Sequence, residues 1–71
     1  MTLHTLIKPK SKFEIQFVVD PDPRNDDGWF ILVKHIIKKT GKTDRESLII
    51  RKDVNTWISH FNSDGWTEVI K

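Results

Sequence analysis

Residues 46–70 read ESLIIRKDVNTWISHFNSDGWTEVI, and this stretch predicts a strand, a helix and a second strand in succession. The β-branched run at 47–51 favours a strand, and Asp53 after it is a residue type that caps helices. The apolar residues that follow recur at the spacing of one helix face: Val54, Trp57, Ile58 and Phe61. The polar turn NSDG ends the helix, and residues 66–70 then alternate as a strand. The domain is therefore predicted to be α+β, with a helix at about 54–62 packed on one face of a sheet.

A strand upstream is predicted from the alternation in FEIQFVV at residues 13–19. One face of this strand is apolar and the other carries Glu14 and Gln16, as in a half-buried strand. The apolar face consists of Phe13, Ile15, Phe17 and Val19. The segment DPDPRNDDG at 20–28 is rich in turn residues, and its two prolines exclude regular strand pairing. It is therefore predicted to be a loop.

The segment WFILVKHIIKK at residues 29–39 fits two structures. Its apolar spacing favours a helix, whereas its β-branched and aromatic residues favour a strand. We predict a strand, because the residues after it suit a hairpin turn and the strand at 13–19 needs a partner. A strand here has apolar residues on both faces. One face, with Phe30, Leu32 and Ile36, must then be covered by the N-terminal arm, by another subunit or by a ligand.

The chain of 71 residues is long enough for one domain with a thin core. We expect residues 1–12 to form a loosely ordered basic arm and residues 13–71 to form a single α+β domain. The sheet is predicted to have three or four mostly antiparallel strands. The chain has no cysteine, so no disulfide supplements the core, and self-association is a reasonable source of extra stability.

The formal net charge of +2 conceals a polarised distribution of charge. The loop at 20–28 is acidic, whereas the predicted hairpin and its flanks are basic. The cations of this region are Lys34, Lys38, Lys39, Lys42, Arg45, Arg51 and Lys52. Cations along a protruding hairpin can follow a phosphate backbone, so we interpret this set as a nucleic-acid-binding surface.

The order of three strands and one helix between Phe13 and Phe61 resembles a known family in outline. It is similar to the small three-stranded DNA-binding domains at the N-termini of some phage and transposon integrases. The resemblance is in the order of elements, and it assigns no binding residue in this sequence.

Several classes of function have no support in the sequence. The chain has no cysteine, and none of its serines lies in a nucleophile-elbow sequence. Only Gly41-Lys42-Thr43 resembles the end of a phosphate-binding loop. We therefore predict no enzyme activity, no cofactor and no small-molecule substrate. The acidic loop does not have calcium-site spacing, because Arg24 stands where the third ligand should be, so no metal is predicted.

No run approaches the roughly 20 apolar residues of a membrane span, and no signal-peptide core is evident. We therefore expect a cytoplasmic protein.

These patterns predict a small non-catalytic binding module. The more concrete hypothesis is a nucleic-acid-binding domain that uses the basic hairpin. The alternative is a protein-interaction or inhibitor-type module, including a homodimer, that uses the apolar face of Phe30, Leu32 and Ile36 together with the polarised charge.

Overall fold

Five antiparallel strands form one sheet in the computed structural model, which describes residues 2–69. The strands are β1 (Thr2–Ile7), β2 (Phe13–Val19), β3 (Phe30–Ile37), β4 (Thr43–Ile50) and β5 (Thr67–Glu68). Their order across the sheet is β4-β3-β2-β1-β5. A 3₁₀ turn, Arg51–Asp53, leads from β4 into the helix α1, Val54–Ser63. The α+β class is as predicted, and the sheet has more strands than the three or four expected.

The ambiguous segment at 29–39 forms a strand, β3, as predicted. It lies between β2 and β4 and pairs with both in antiparallel register. A β-branched segment with two apolar faces suits this interior position, where both edges of the strand are hydrogen-bonded. Ile31 and Val33 are fully buried on the same side of the sheet as Ile15 and Phe17 of β2.

The N-terminal segment differs from its prediction as a loosely ordered arm. Residues 2–7 form β1, which pairs with β2 on one side and β5 on the other. Leu6 is fully buried opposite Ile15. The register of β1 shifts between Thr2 and His4, so the apolar residues of this strand do not alternate regularly along the sequence. With β1 and β5 added, the sheet is also larger than that of the three-stranded domains that the order of elements resembled.

Helix α1 packs its predicted apolar residues against one face of the sheet. Val54 is buried in the core, and Trp57, Ile58 and Phe61 are partly buried against it. The predicted cap differs, because the Asp53 side chain makes no capping hydrogen bond and the preceding 3₁₀ turn leads directly into the helix. No helix within residues 2–69 is long and apolar enough to cross a membrane.

The end of the chain returns to the sheet as a shorter strand than predicted. Of the predicted strand at 66–70, only Thr67–Glu68 has strand structure, and Ile70 lies outside the described residues. His4 of β1 hydrogen-bonds Glu68 of β5 through their side chains, and Val69 N–H donates to the carbonyl of Thr5 at 2.8 Å. These bonds fasten the C-terminal segment to the far edge of the sheet.

Candidate nucleic-acid interface

Two lysine-bearing loops meet at one end of the sheet. The β1–β2 loop and the β3–β4 turn lie at the same end, because the first residue of β2 pairs with the last residue of β3, Phe13 with Ile37. The N–H of Lys38 donates to the carbonyl of Lys12 at 3.0 Å, which joins the two loops directly. We call this region the lysine end, and its members are Lys8, Lys10, Lys12, Lys38, Lys39 and Lys42. Five of these side chains are exposed, and Lys8 is half-buried.

Local backbone structure presents these lysines on tight turns. Gly41 adopts a φ of 74°, a left-handed conformation that glycine reaches without steric cost, and its N–H donates to the carbonyl of Ile37 at 2.7 Å. At the strand side of this turn, the Ile37 N–H donates to the carbonyl of Lys42 at 2.9 Å. In the other loop, Lys8 Nζ lies 3.7 Å from the Asp64 carboxylate just after α1. The turns therefore expose five of the six lysines to solvent, whereas Lys8 is half-buried beside Asp64.

The sequence-predicted cations do not all lie on this surface. Lys38, Lys39 and Lys42 are in the lysine end, and Arg45 follows in β4, opposite His35. Lys34 lies in the middle of β3, opposite Glu46.

Arg51 and Lys52 lie beyond the other end of β4. A strand of eight residues spans about 26 Å, so these two cations lie well away from the lysine end. Arg51 also has a structural role, because its Nε donates to the carbonyl of Gly28 at 2.8 Å. The predicted set of seven therefore divides, while three lysines assigned to the N-terminal arm join the surface.

The acidic loop forms the opposite end of the molecule. Its carboxylates organise the loop backbone: Asp20 accepts from the N–H of Asp22, and Asp22 accepts from the N–H of Arg24. The side-chain hydrogen bond from Arg24, followed by its backbone N–H, lowers the pKa of Asp22 below its ordinary value. No cluster of three His, Asp or Glu residues within the described part of the chain is arranged to hold a metal ion.

Asn25 is the residue of this loop that sequence reasoning missed. It is the buried polar side chain among the described residues, and its amide bonds Asp20, just after β2, and Phe30, the first residue of β3. Its Nδ2 donates to the carbonyls of Asp20 and Phe30 at 2.9 and 3.0 Å, and its Oδ1 accepts from the Phe30 N–H at 2.8 Å. An asparagine in a turn-rich loop is a common signal, so its burial could not be read from the sequence.

The sheet face opposite α1 carries apolar side chains. Val18, Leu32 and Leu48 are aligned across three strands, and Phe30 is aligned with Ile50 beside them. Leu48 is 57% exposed and Phe30 is 40% exposed. The predicted face of Phe30, Leu32 and Ile36 is thus on the side away from the helix. We call this surface the uncovered face.

An aromatic groove lies on the helix side of the molecule. It has a volume of about 510 Å³ and is lined by Thr56, Trp57, His60 and Phe61. The Phe61 ring contacts His35 edge to face, with centroids 6.2 Å apart, and His35 is paired with Arg45 in the neighbouring strand. His35 therefore lies between the groove and Arg45, a cation near the lysine end.

His35 is expected to make stability depend on pH. Burial, followed by the positive charge of Arg45, lowers the pKa of His35, and Asp44 opposes this effect. Its Nδ1 has no hydrogen-bond partner among residues 2–69. Because the unfolded chain binds the proton more readily, the free energy of unfolding should fall as pH drops below the ordinary histidine value of about 6.5, until the folded-state pKa is passed.

We expect His35→Phe to remove this part of the pH dependence and to raise stability at neutral pH by about 1 kcal/mol, since it removes an unpaired polar atom. Urea unfolding at several pH values between about 5 and 8 measures both effects. His60→Phe is the control, because His60 is exposed on α1. An equal change of slope in the two variants would contradict the role given to His35.

The chain is matched by no family model, and neither a curated protein nor a solved structure matches it.

Proposed function

We propose that the protein is a non-catalytic module that binds nucleic acid through the phosphate backbone, with the lysine end as its contact surface. The observation that carries this proposal is the meeting of six lysines from two loops at one end of the sheet. Ammonium groups on adjacent exposed turns can contact successive phosphates, and each contact releases condensed counterions. The far end of the molecule is acidic, which favours one orientation of approach to a polyanion.

The chemistry of the lysine end favours affinity without base readout. Lysine is a flexible point charge, and it lacks the planar fork by which arginine reads guanine. The six lysines lie on loops rather than on a helix or ribbon shaped for a groove. Binding should therefore depend strongly on salt and weakly on sequence. The aromatic groove makes single strands worth testing beside duplexes, because the half-buried rings of Trp57 and Phe61 line it and aromatic rings can stack on unpaired bases.

The test is a salt titration of binding to duplex DNA, single-stranded DNA and single-stranded RNA of equal length. Full engagement of six phosphates on a duplex gives a slope of log K against log salt of about −5, and partial engagement gives about −3. Two unrelated duplex sequences should bind within about tenfold of each other. Failure to retain any of the three nucleic acids at about 50 mM salt, where electrostatic binding is strong, would overturn the proposal.

A further inference from the structure

The uncovered face has no cover from within the described chain. Helix α1 packs on the opposite side of the sheet, against Phe17 and Val33. The N-terminal segment was one candidate cover, but it is strand β1 of the sheet itself, with Leu6 buried on the helix side. Aliphatic and aromatic side chains thus remain in contact with water on three strands, toward the acidic-loop end of the sheet.

The pattern of charge around this face decides what can cover it. Asp20 and Asp22 border the apolar residues at one end, where they line a depression with Arg24, Phe30 and Leu48. Arg24 pairs with Asp22, and the loop at 20–28 still carries four aspartates against this one arginine. The basic β3–β4 turn stands at the other end. The face between them also carries polar side chains: Glu14, Gln16, Lys34 and Glu46. An apolar surface with an acidic border does not suit a polyanion. This surface is complementary to an apolar surface with a basic border. A second copy whose strands run in the opposite direction places its own basic turn at that border.

We propose that the uncovered face is a homodimer interface in which two sheets pack face to face with their strands running in opposite directions. A twofold axis lying between the sheets and across the strands brings the acidic loop of each copy over the basic turn of its partner. The dimer and a bound polyanion therefore compete for Lys38, Lys39 and Lys42. The alternative with parallel strands would place like charges together at both ends. The row of Val18, Leu32 and Leu48, which lies toward the acidic-loop end of each sheet, then forms the apolar part of the interface. The middle row of Gln16, Lys34 and Glu46 also enters the interface.

The size of the face sets the expected strength of the dimer. The four long strands have six to eight residues, so they are about 20–26 Å long and about 4.8 Å apart. They present roughly 450 Å² on each copy, or roughly 900 Å² in the complex. Specific interfaces begin near this size. A dissociation constant between about 1 μM and 1 mM is therefore expected.

The first test measures mass against concentration in nuclease-treated protein. The wild type should change from 8.4 kDa toward twice that mass, and added salt should weaken the dimer because its ends attract through opposite charges. Leu48→Glu should raise the dissociation constant more than about tenfold, since it buries a charge in the interface. Ser59→Glu adds the same charge to the exposed surface of α1 and should change the constant less than about twofold.

Folding of the Leu48 variants is checked by a thermal melt at a concentration where the wild type is monomeric. Leu48→Thr keeps a residue favourable to strands and replaces the glutamate variant if that one unfolds. A wild type that stays monomeric up to about 1 mM overturns the proposal. Equal effects of the Leu48 and Ser59 variants also overturn it.

The second test determines the strand orientation, using a chain that has no natural cysteine. Thr40→Cys marks the basic turn and Asp26→Cys marks the acidic loop. The two variants are mixed and treated with a crosslinker of about 10 Å reach, close to the spacing of stacked sheets. Antiparallel dimers give crosslinks between residues 40 and 26. Crosslinks of 40 to 40 and 26 to 26, or no crosslink at a concentration where dimers form, contradict the proposed arrangement.

Discussion

Trp66→Ala should leave the protein largely unfolded at room temperature. Trp66 is 8% exposed, and its ring contacts Phe61 with centroids 6.1 Å apart. Truncating a buried aromatic side chain costs about 3–5 kcal/mol. At about 0.05–0.15 kcal/mol per residue, a domain of this length has a total stability of roughly 4–11 kcal/mol. A single core in a domain this small rarely supplies more than about 3–5 kcal/mol, the lower end of that range. A single truncation at this position therefore removes most of the stability of the domain.

Trp29→Ala is the matched control, because both tryptophans follow a glycine and lead into a strand. Trp29 is 44% exposed, so its removal should cost only about 1–2 kcal/mol. Far-UV circular dichroism during thermal and urea unfolding measures both variants. A cooperative melt of Trp66→Ala within a few degrees of the Trp29 variant would show that the buried position of Trp66 is wrong.

Removing either set of lysines from the lysine end should flatten the salt dependence of nucleic-acid binding. Lys38, Lys39 and Lys42 belong to one loop, and replacing all three by glutamine should reduce the slope by about 2–3, at about 0.9 per lost phosphate contact. Replacing Lys8, Lys10 and Lys12 should reduce the slope by about 2, because both loops face the same end of the sheet and Lys8 already pairs with Asp64. Replacing all six should abolish retention at about 50 mM salt. Stability should change little, since exposed charges contribute little to folding.

The control variant removes cations from the acidic end. Arg24→Gln with Lys52→Gln eliminates two exposed positive charges about one strand length, roughly 26 Å, from the lysine end. This distance is more than two Debye lengths at about 0.1 M salt, so the slope should change by less than about 0.5. The claim that both loops form one contact surface would be wrong if the hairpin variant lost binding while the variant of Lys8, Lys10 and Lys12 bound like wild type. If the control variant lost as much of the salt slope per removed charge, binding would depend on the net charge of the protein rather than on a contact surface.

The sequence by itself determined those strands and the helix in which buried residues recur at a regular spacing. Alternation at 13–19 predicted β2, and the i, i+3, i+4, i+7 spacing from Val54 to Phe61 predicted the face of α1. The composition of 29–39 predicted a strand with two apolar faces, and the structure has β3 in the interior of the sheet. These predictions succeeded because each depends on neighbours within one element, where side-chain direction follows directly from backbone period.

Only the tertiary structure decided which elements and loops come together. The irregular segment at 2–7 becomes β1 because β2 and β5 supply hydrogen-bonding partners on both sides. The sequence treats Trp29 and Trp66 alike, and burial distinguishes them because only Trp66 packs beside Phe61. Lysines some thirty residues apart share one end because antiparallel register brings the two loops together, as the Lys38–Lys12 hydrogen bond records. Strand pairing joins residues that are distant in the chain, and no local period in the sequence specifies which edges will meet.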